Sequence, residues 1–177
     1  NLPVTLPYGP TTPGSLTKAQ RQIRASRKIL ESLGMNQAIS YAFTPPEKAQ
    51  QFAENPAAKV VTLDYPMSSD RTTVRQNLLA GLLEEVAYNV NHSVRDIALY
   101  EQGRVFVANG KNELPTEIEH LAGVLTGNIV ESSWQQEKAE RVVDFYDIKG
   151  IVVAYLEQIG VKNVRYVATD RHANMHP

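Results

Sequence analysis

Few side chains in this sequence stand at spacings that suit catalysis. Glu101 is a candidate general acid, but no second carboxylate stands where it would complete an acid–base pair. Arg104 has the charge and planarity that suit contact with a nucleotide or RNA. An arginine beside a buried strand pairs more often with a carboxylate, here Glu101, and we predict that structural ion pair.

Two other groups of reactive side chains are incomplete. His172 and His176 lie four residues apart, a spacing that suits metal chelation on a helix, but no third ligand accompanies them. Ser68 and Ser69 have no His and Asp at a spacing that suggests an activated nucleophile. The sequence therefore predicts no catalytic residue, no substrate-binding residue and no metal site in this chain.

Composition excludes several classes of function. The 177 residues contain 18 Lys and Arg against 19 Asp and Glu, so no overall field attracts nucleic acid or a membrane surface. The absence of cysteine excludes disulfides and thiolate zinc sites, which fits a reducing cytoplasm. No apolar run approaches the roughly 20 residues that a membrane helix needs.

Three segments have the apolar periodicity of amphipathic helices. The first begins after Ser15 or Thr17 and ends at Gly34, the second spans residues 76–91, and the third runs from Asp144 or Asp147 to Gly160. A short helix is predicted after the Pro45-Pro46 pair. Leu82 and Ile151, central on their apolar faces, are predicted to lie in the core. The outer face of the first helix is basic, which suits either solvent or RNA; its cations are Arg21, Arg24, Arg27 and Lys28.

Between these helices, alternating or continuous apolar runs predict strands. They cover residues 39–43, 60–63, 97–101, 104–107, 120–127 and 164–168, with a bend at Gly103, a largely buried strand at 120–127 and a turn at 109–112. Residues 67–74 are predicted to be loop, and 134–141 helical or irregular. The predicted core aromatics are Tyr41, Phe43, Tyr100 and Phe106. Helices that interrupt turn-linked strand pairs indicate an α+β fold, an antiparallel sheet flanked by helices.

The segment from residue 67 to residue 106 resembles a known family. Its helix starts with Val74-Arg75-Gln76-Asn77-Leu78-Leu79 and ends with Asn89-Val90-Asn91, and the following strand is Arg95-Asp96-Ile97-Ala98-Leu99-Tyr100-Glu101-Gln102-Gly103-Arg104-Val105-Phe106. These motifs resemble those of the β subunit of bacterial phenylalanyl-tRNA synthetase. Gly34-Met35-Asn36-Gln37-Ala38-Ile39-Ser40-Tyr41-Ala42-Phe43 is also similar to that family, and the likeness covers nearly the whole chain.

The resemblance implies a class II aminoacyl-tRNA synthetase catalytic fold without the active-site motifs. In the catalytic α subunits the corresponding strand resembles Gly-Arg-Val-Tyr-Arg, and its last arginine grips the ATP α-phosphate and the substrate carboxylate. Here the strand is Gly103-Arg104-Val105-Phe106-Val107, so valine replaces that arginine. Adenylation develops charge that a fixed guanidinium stabilises, and valine donates no hydrogen bond. The chain itself is therefore expected to be inactive.

The resemblance also implies an organisation and partners. Residues 1–14, rich in proline, would be a linker from a preceding B5-like domain, and 15–177 a catalytic-like (B6–B7) module cut at its C-terminal end. Both ends are expected to be boundaries within a longer chain. The whole enzyme would be a cytoplasmic heterotetramer of two α and two β subunits that joins phenylalanine to tRNA(Phe) with ATP and Mg²⁺. The fragment itself would need no cofactor and no membrane.

The expected role of such a module is assembly with the α subunit. Interfaces favour aromatic and arginine side chains, and the candidate anchors are Arg71, Arg75, Tyr88 and Arg95. If these arginines are not anchors, they would be internal partners of carboxylates such as Asp70, Asp96 or Glu101. The alternative function is a stand-alone α+β module that binds a small ligand or RNA, for which the sequence shows no polar pocket.

Overall fold

The computed structural model of the chain describes residues 4–5, 8–53, 58–110, 113–129, 141–169 and 175. Within these ranges the chain folds into four helices and five strands. The helices are α1 (Lys18–Ser32), α2 (Pro46–Gln50), α3 (Leu79–Asn91) and α4 (Phe145–Ile159). The strands are β1 (Asn36–Gln37), β2 (Phe43–Thr44), β3 (Thr73–Val74), β4 (Ile97–Val107) and β5 (Thr116–Thr126).

The main sheet is built on the β4–β5 hairpin. The two strands pair antiparallel in one unbroken register, from Ile97 opposite Thr126 to Val107 opposite Thr116. Short β1 lies parallel to β4 on its other side, and β2 and β3 form a separate antiparallel pair. The predicted α+β class, an antiparallel sheet flanked by helices, is confirmed. The bend predicted at Gly103 is wrong, because this residue pairs with His120 in regular register.

Local capping signals set the ends of the helices. Thr17 forms a capping box with Gln20 at the start of α1, and Asp144 forms one with Asp147 at the start of α4. Gly160 ends α4 at φ 89°, in the left-handed region where a side chain would be strained. These helix ends were predictable from the sequence, because each is set by residues that lie within one helical turn of one another. Helix α3 begins at Leu79, three residues later than predicted.

The core lies between the sheet and the α1–α4 pair. Leu30, Met35 and Tyr100 are buried together, and four half-buried side chains pack against them: Leu121, Leu125, Ile151 and Tyr155. A hydrogen bond of 2.9 Å between the Ser26 and Tyr155 hydroxyls joins the two helices. The predicted burial of Leu82 on α3 is confirmed, whereas Ile151 is only half-buried at the margin of the core.

Three predicted strands are shorter than expected or absent. Of residues 39–43 only Phe43 is in a strand, and of residues 60–63 only Thr62 makes an isolated bridge, to Thr73. Residues 164–168 are exposed and form no strand, and β3 lies inside the predicted loop 67–74. The predicted strand 120–127 is β5, which begins earlier, at Thr116, and is half-buried over residues 120–126 because it is the edge strand of the sheet.

The predicted core aromatics divide between interior and surface. Tyr100 is fully buried and Phe106 is half-buried, whereas Tyr41 and Phe43 are exposed. The prediction was wrong for these two because it assumed that the apolar side of residues 39–43 faces the core. The predictions for residues 111–112, residues 134–140, His172 and His176 concern positions outside the described residues.

Acid is expected to weaken the start of α4. Arg141 donates two hydrogen bonds to the Asp147 carboxylate, at 3.0 and 2.6 Å, and they lower the pKa of Asp147. A carboxyl whose pKa is lower in the folded chain contributes stability above its unfolded pKa and loses it as the pH falls through the folded pKa. Melting curves of the wild type and Asp147→Asn should therefore converge as the pH drops below about 4. A difference that does not change with pH would contradict this contribution.

Candidate functional site

One face of β4 carries two residues that the sequence analysis singled out, Glu101 and Val107. Because side chains alternate along a strand, Glu101, Gly103, Val105 and Val107 share this face. Val107, the last residue of the strand, is 38% exposed, and it is the position at which the family resemblance led us to expect an arginine in a catalytic subunit. A cavity of about 200 Å³ lies beside it, lined by Ala53, Ala58, Gln76, Val105, Val107, Ile118 and His120. This lining contains no arginine, lysine or carboxylate and does not fit Mg²⁺-bound ATP.

Deeper on the same face lies a buried ion pair between Arg75 and Glu101. Arg75 Nη1 is 2.6 Å from Glu101 Oε1, and the two side chains are 11% and 3% exposed. The Ser40 hydroxyl donates to the other carboxylate oxygen at 2.6 Å. The guanidinium also donates to the Ser40 hydroxyl at 3.1 Å and, through Nε, to the Arg104 carbonyl at 2.9 Å. Each oxygen of the Glu101 carboxylate thus accepts a hydrogen bond within the protein, which supports a structural ion pair over a role as general acid.

Two glycines make room for this cluster. A Cβ on Gly103 would collide with the Arg75 guanidinium, and a Cβ on Gly81 would collide with the Ser40 side chain. Gly103 is therefore needed for close approach by a neighbouring side chain and leaves the strand straight. The sequence showed that Gly103 accompanies a strand, but it did not show that the Arg75 guanidinium lies against this glycine.

Arg75 also joins separate parts of the chain through its backbone. Its N–H donates to the Ala42 carbonyl at 2.9 Å, and its carbonyl accepts from the Phe106 N–H at 3.0 Å. Arg75 is thus an internal residue, with only 11% of its side chain exposed, and it is not placed as a surface anchor would be. The structure instead shows the alternative predicted for it, an ion pair with Glu101.

The pairing predicted between Glu101 and Arg104 is wrong. Residues three apart on a strand point to opposite faces, so Arg104 lies on the side away from Glu101. Its guanidinium contacts Glu117 and Glu119 of β5 across the hairpin, with 65% of the side chain exposed. Exposed pairs of this kind contribute little stability.

The other three candidate anchors lie at the surface on different elements. The Arg71 guanidinium lies 5.1 Å from the centroid of the Tyr41 ring and donates to the Phe43 carbonyl at 2.9 Å. Tyr88 on α3 is 61% exposed, and Arg95, which precedes β4, is exposed. Near Arg71, a hydrogen bond from the Ser68 side chain lowers the pKa of Asp70, so this serine stabilises the charged form of a loop carboxylate.

Sequence reasoning missed an exposed apolar segment between β1 and β3. Residues 38–44, which we call the ribbon, run from the end of β1 through β2. Ile39, Tyr41 and Phe43 are 85%, 77% and 43% exposed, whereas Thr44 is buried and Ser40 half-buried. The alternation was visible in the sequence, but it does not tell which of the two sides faces the protein interior.

The basic face of α1 lies at the surface. Its four cations are exposed, and none forms a salt bridge within the part of the chain that the structure describes. The described part of the chain contains no cluster of three or more side chains that could ligate a metal ion. No described helix combines the length and apolar character needed to cross a membrane.

The fold places the chain among proteins with a class II aminoacyl-tRNA synthetase catalytic fold. The structure matches a pyrrolysyl-tRNA synthetase from Desulfitobacterium hafniense with a TM-score of 0.57, at 15% identity, over 85% of this chain and 48% of that one. It matches an ATP phosphoribosyltransferase regulatory subunit/histidyl-tRNA synthetase from Bacillus halodurans C with a TM-score of 0.56, at 13% identity, over 90% and 40%. At such identities the likeness establishes the fold alone.

The sequence identifies the family. Residues 2–177 match the family described as phenylalanyl tRNA synthetase beta chain CLM domain. The chain is 49% identical to the phenylalanine–tRNA ligase beta subunit of Lactiplantibacillus plantarum and 46% identical to that of Latilactobacillus sakei, over 100% of this chain. It therefore belongs to the phenylalanyl-tRNA synthetase β chain family, as the sequence motifs predicted. It spans 22% of the length of these curated relatives.

Proposed function

We propose that this chain is a noncatalytic, catalytic-like module of the phenylalanine–tRNA ligase β subunit, the part denoted B6–B7. Its role is to support assembly with the catalytic α subunit, and thereby ATP-dependent attachment of phenylalanine to tRNA(Phe) by the whole enzyme. The observation that carries this proposal is Val107, which stands where a catalytic subunit has its phosphate-gripping arginine. Family membership and the class II fold support it.

In this proposal the chemistry belongs to the α subunit. ATP and Mg²⁺ bind there, because the corresponding face of this chain offers an apolar cavity and an internally neutralised ion pair. Residues 1–14 serve as a linker from the preceding domain, and residues 15–177 belong to the module. The enzyme works in the cytoplasm as a heterotetramer of two α and two β subunits, and tRNA(Phe) binds to that assembly.

Exposed arginine and tyrosine side chains are the candidate contacts with the α subunit. Arg71, Tyr88 and Arg95 remain candidates because each is at the surface. Arg75 lies in the interior and supports the fold through its ion pair with Glu101. A stand-alone small-ligand or RNA-binding module is less favoured. The charge is nearly balanced, and the relatives of high identity share the whole length of this chain as part of a larger subunit.

The purified chain is expected to show no phenylalanine-dependent exchange of pyrophosphate into ATP. The reason is that Val107 supplies no guanidinium and that Arg75, on the same face, is bonded to Glu101. The measurement is the exchange assay on the chain alone, with the complete two-subunit enzyme as the positive control. Robust exchange by the chain, free of the α subunit, would contradict the noncatalytic role.

A further inference from the structure

We infer that the β4–β5 hairpin holds a binding site for a small, uncharged molecule with one ring and one N–H or O–H group. This inference goes beyond the proposed assembly role, which requires no ligand. The site consists of two adjoining cavities, which we call the paired cavity. The first is the cavity of about 200 Å³ beside Val107, and the second, of about 350 Å³, lies toward the start of α3. Gln76 and His120 line both cavities.

Small residues on two parts of the chain create this space. Ala53 and Ala58 line the first cavity, and Ala122 and Gly123 of β5 line the second. Val105 of β4, which is buried, also lines the first cavity. Folded interiors contain few voids larger than a water molecule, so space of this size against a buried strand residue is unusual unless a ligand fills it.

The size of the paired cavity suits a single ring. An apolar cavity of about 150 Å³ is sufficient to bind benzene. The first cavity, at about 200 Å³, therefore has room for one six-membered ring. Val107 and Ile118 line this cavity and are themselves 38% and 41% exposed, so a ligand can enter beside them.

The lining of the paired cavity selects against charge. Neither cavity is lined by an arginine, lysine, aspartate or glutamate side chain. A charged group that entered would lose its hydration and gain no partner, which costs several kcal/mol or more. The Arg75–Glu101 pair on the same face is already neutralised internally. The site therefore favours neutral molecules over free amino acids and nucleotides.

Gln76 supplies the acceptor that the N–H or O–H group of the ligand would meet. Its Nε2 donates to the Lys59 carbonyl at 2.9 Å, which orients the amide. Its Oε1 is buried and has no hydrogen-bond partner within the described residues. A buried acceptor without a partner is unfavourable, and a donor on the ligand would relieve that cost. The half-buried His120 ring also forms no hydrogen bond with another residue that the structure describes.

The first test titrates phenol into the purified chain, with the methyl groups of isoleucine, leucine and valine labelled for NMR. We expect the methyl resonances of Val105, Val107 and Ile118 to shift, with a dissociation constant on the order of 1 mM. Phenylalanine carries a similar ring, but it should cause no such shifts because its ammonium and carboxylate groups find no partner. Equal shifts with both compounds, or none with phenol well above that concentration, would overturn the inference.

The second test compares two tryptophan substitutions at isoleucines of similar exposure. Ile118→Trp places an indole at the first cavity, whereas Ile129→Trp makes the same change at a residue that lines neither cavity, 41% against 42% exposed. We expect Ile118→Trp to weaken phenol binding by at least about tenfold and Ile129→Trp to change it less than about twofold. Equal effects would show that phenol binds elsewhere.

The third test examines the acceptor. Anisole resembles phenol but has a methyl ether in place of the hydroxyl, so it cannot donate a hydrogen bond. The unaltered chain should bind phenol more tightly than anisole, and Gln76→Met should remove the difference. A preference for phenol that survives this substitution would contradict the role of Gln76.

The same phenol titration on the complete β subunit separates this inference from the proposed function. If the shifts seen in the purified chain are absent there, the rest of the β subunit covers the paired cavity and the inference is overturned. Association of the α and β subunits, measured without phenol, tests the assembly role independently.

Discussion

Arg75→Ala should be among the most destabilising single substitutions in this chain. It leaves the Glu101 carboxylate, 3% exposed, without the guanidinium that lies 2.6 Å from it. Removing one partner of a buried ion pair typically costs about 3–5 kcal/mol, because the remaining charge is buried and unpaired. Denaturant unfolding of the purified chain measures this loss as a shift of the midpoint.

A double variant separates the effect of the buried charges on stability from the effect of the side-chain volume that they occupy. Arg75→Met with Glu101→Gln removes both charges and keeps much of the volume, so it should be less destabilised than Arg75→Ala. Arg104→Ala is the control, because that guanidinium is 65% exposed and exposed pairs contribute at most about 1 kcal/mol. If Arg75→Ala and Arg104→Ala unfold at the same midpoint, the buried pair does not stabilise the fold.

Leu82→Ala is expected to lower the free energy of unfolding by a similar amount, through lost packing. Leu82 is fully buried on the inner face of α3, so truncation removes apolar contacts and leaves a cavity. Such substitutions cost about 2–5 kcal/mol, depending on how far the surroundings close in. The measurement is again the free energy of unfolding of the purified chain.

Ile151→Ala provides a comparison within the same core. Ile151 packs against the buried cluster from α4 but remains half-buried, so its truncation should cost less than that of Leu82. An equal or larger loss at Ile151 would mean that a further element covers α4. An unchanged unfolding midpoint for Leu82→Ala would show that the inner face of α3 is assigned incorrectly.

Features that depend on neighbouring residues were determined by the sequence alone. Capping acts within one helical turn, so the sequence narrowed the start of α1 to Ser15 or Thr17 and that of α4 to Asp144 or Asp147, and it placed the end of α4 at Gly160. The apolar stripe of α3 predicted Leu82 as a core residue, although Leu83 and Val90, in the same predicted apolar set, are 40% and 42% exposed. The proposed role of Val107 also rests on the sequence alone, because it comes from the resemblance of the surrounding motif.

Features that depend on distant contacts were decided by the tertiary structure. Arg75 and Glu101 are 26 positions apart, and several other carboxylates and arginines offered equally plausible partners. The orientation of the ribbon was likewise undetermined, because an alternating strand has two sides and periodicity does not show which one meets the core. Here the buried ion pair bonds Ser40 and thereby fixes that side inward. The position of one ion pair therefore decides that Tyr41 lies at the surface of this protein.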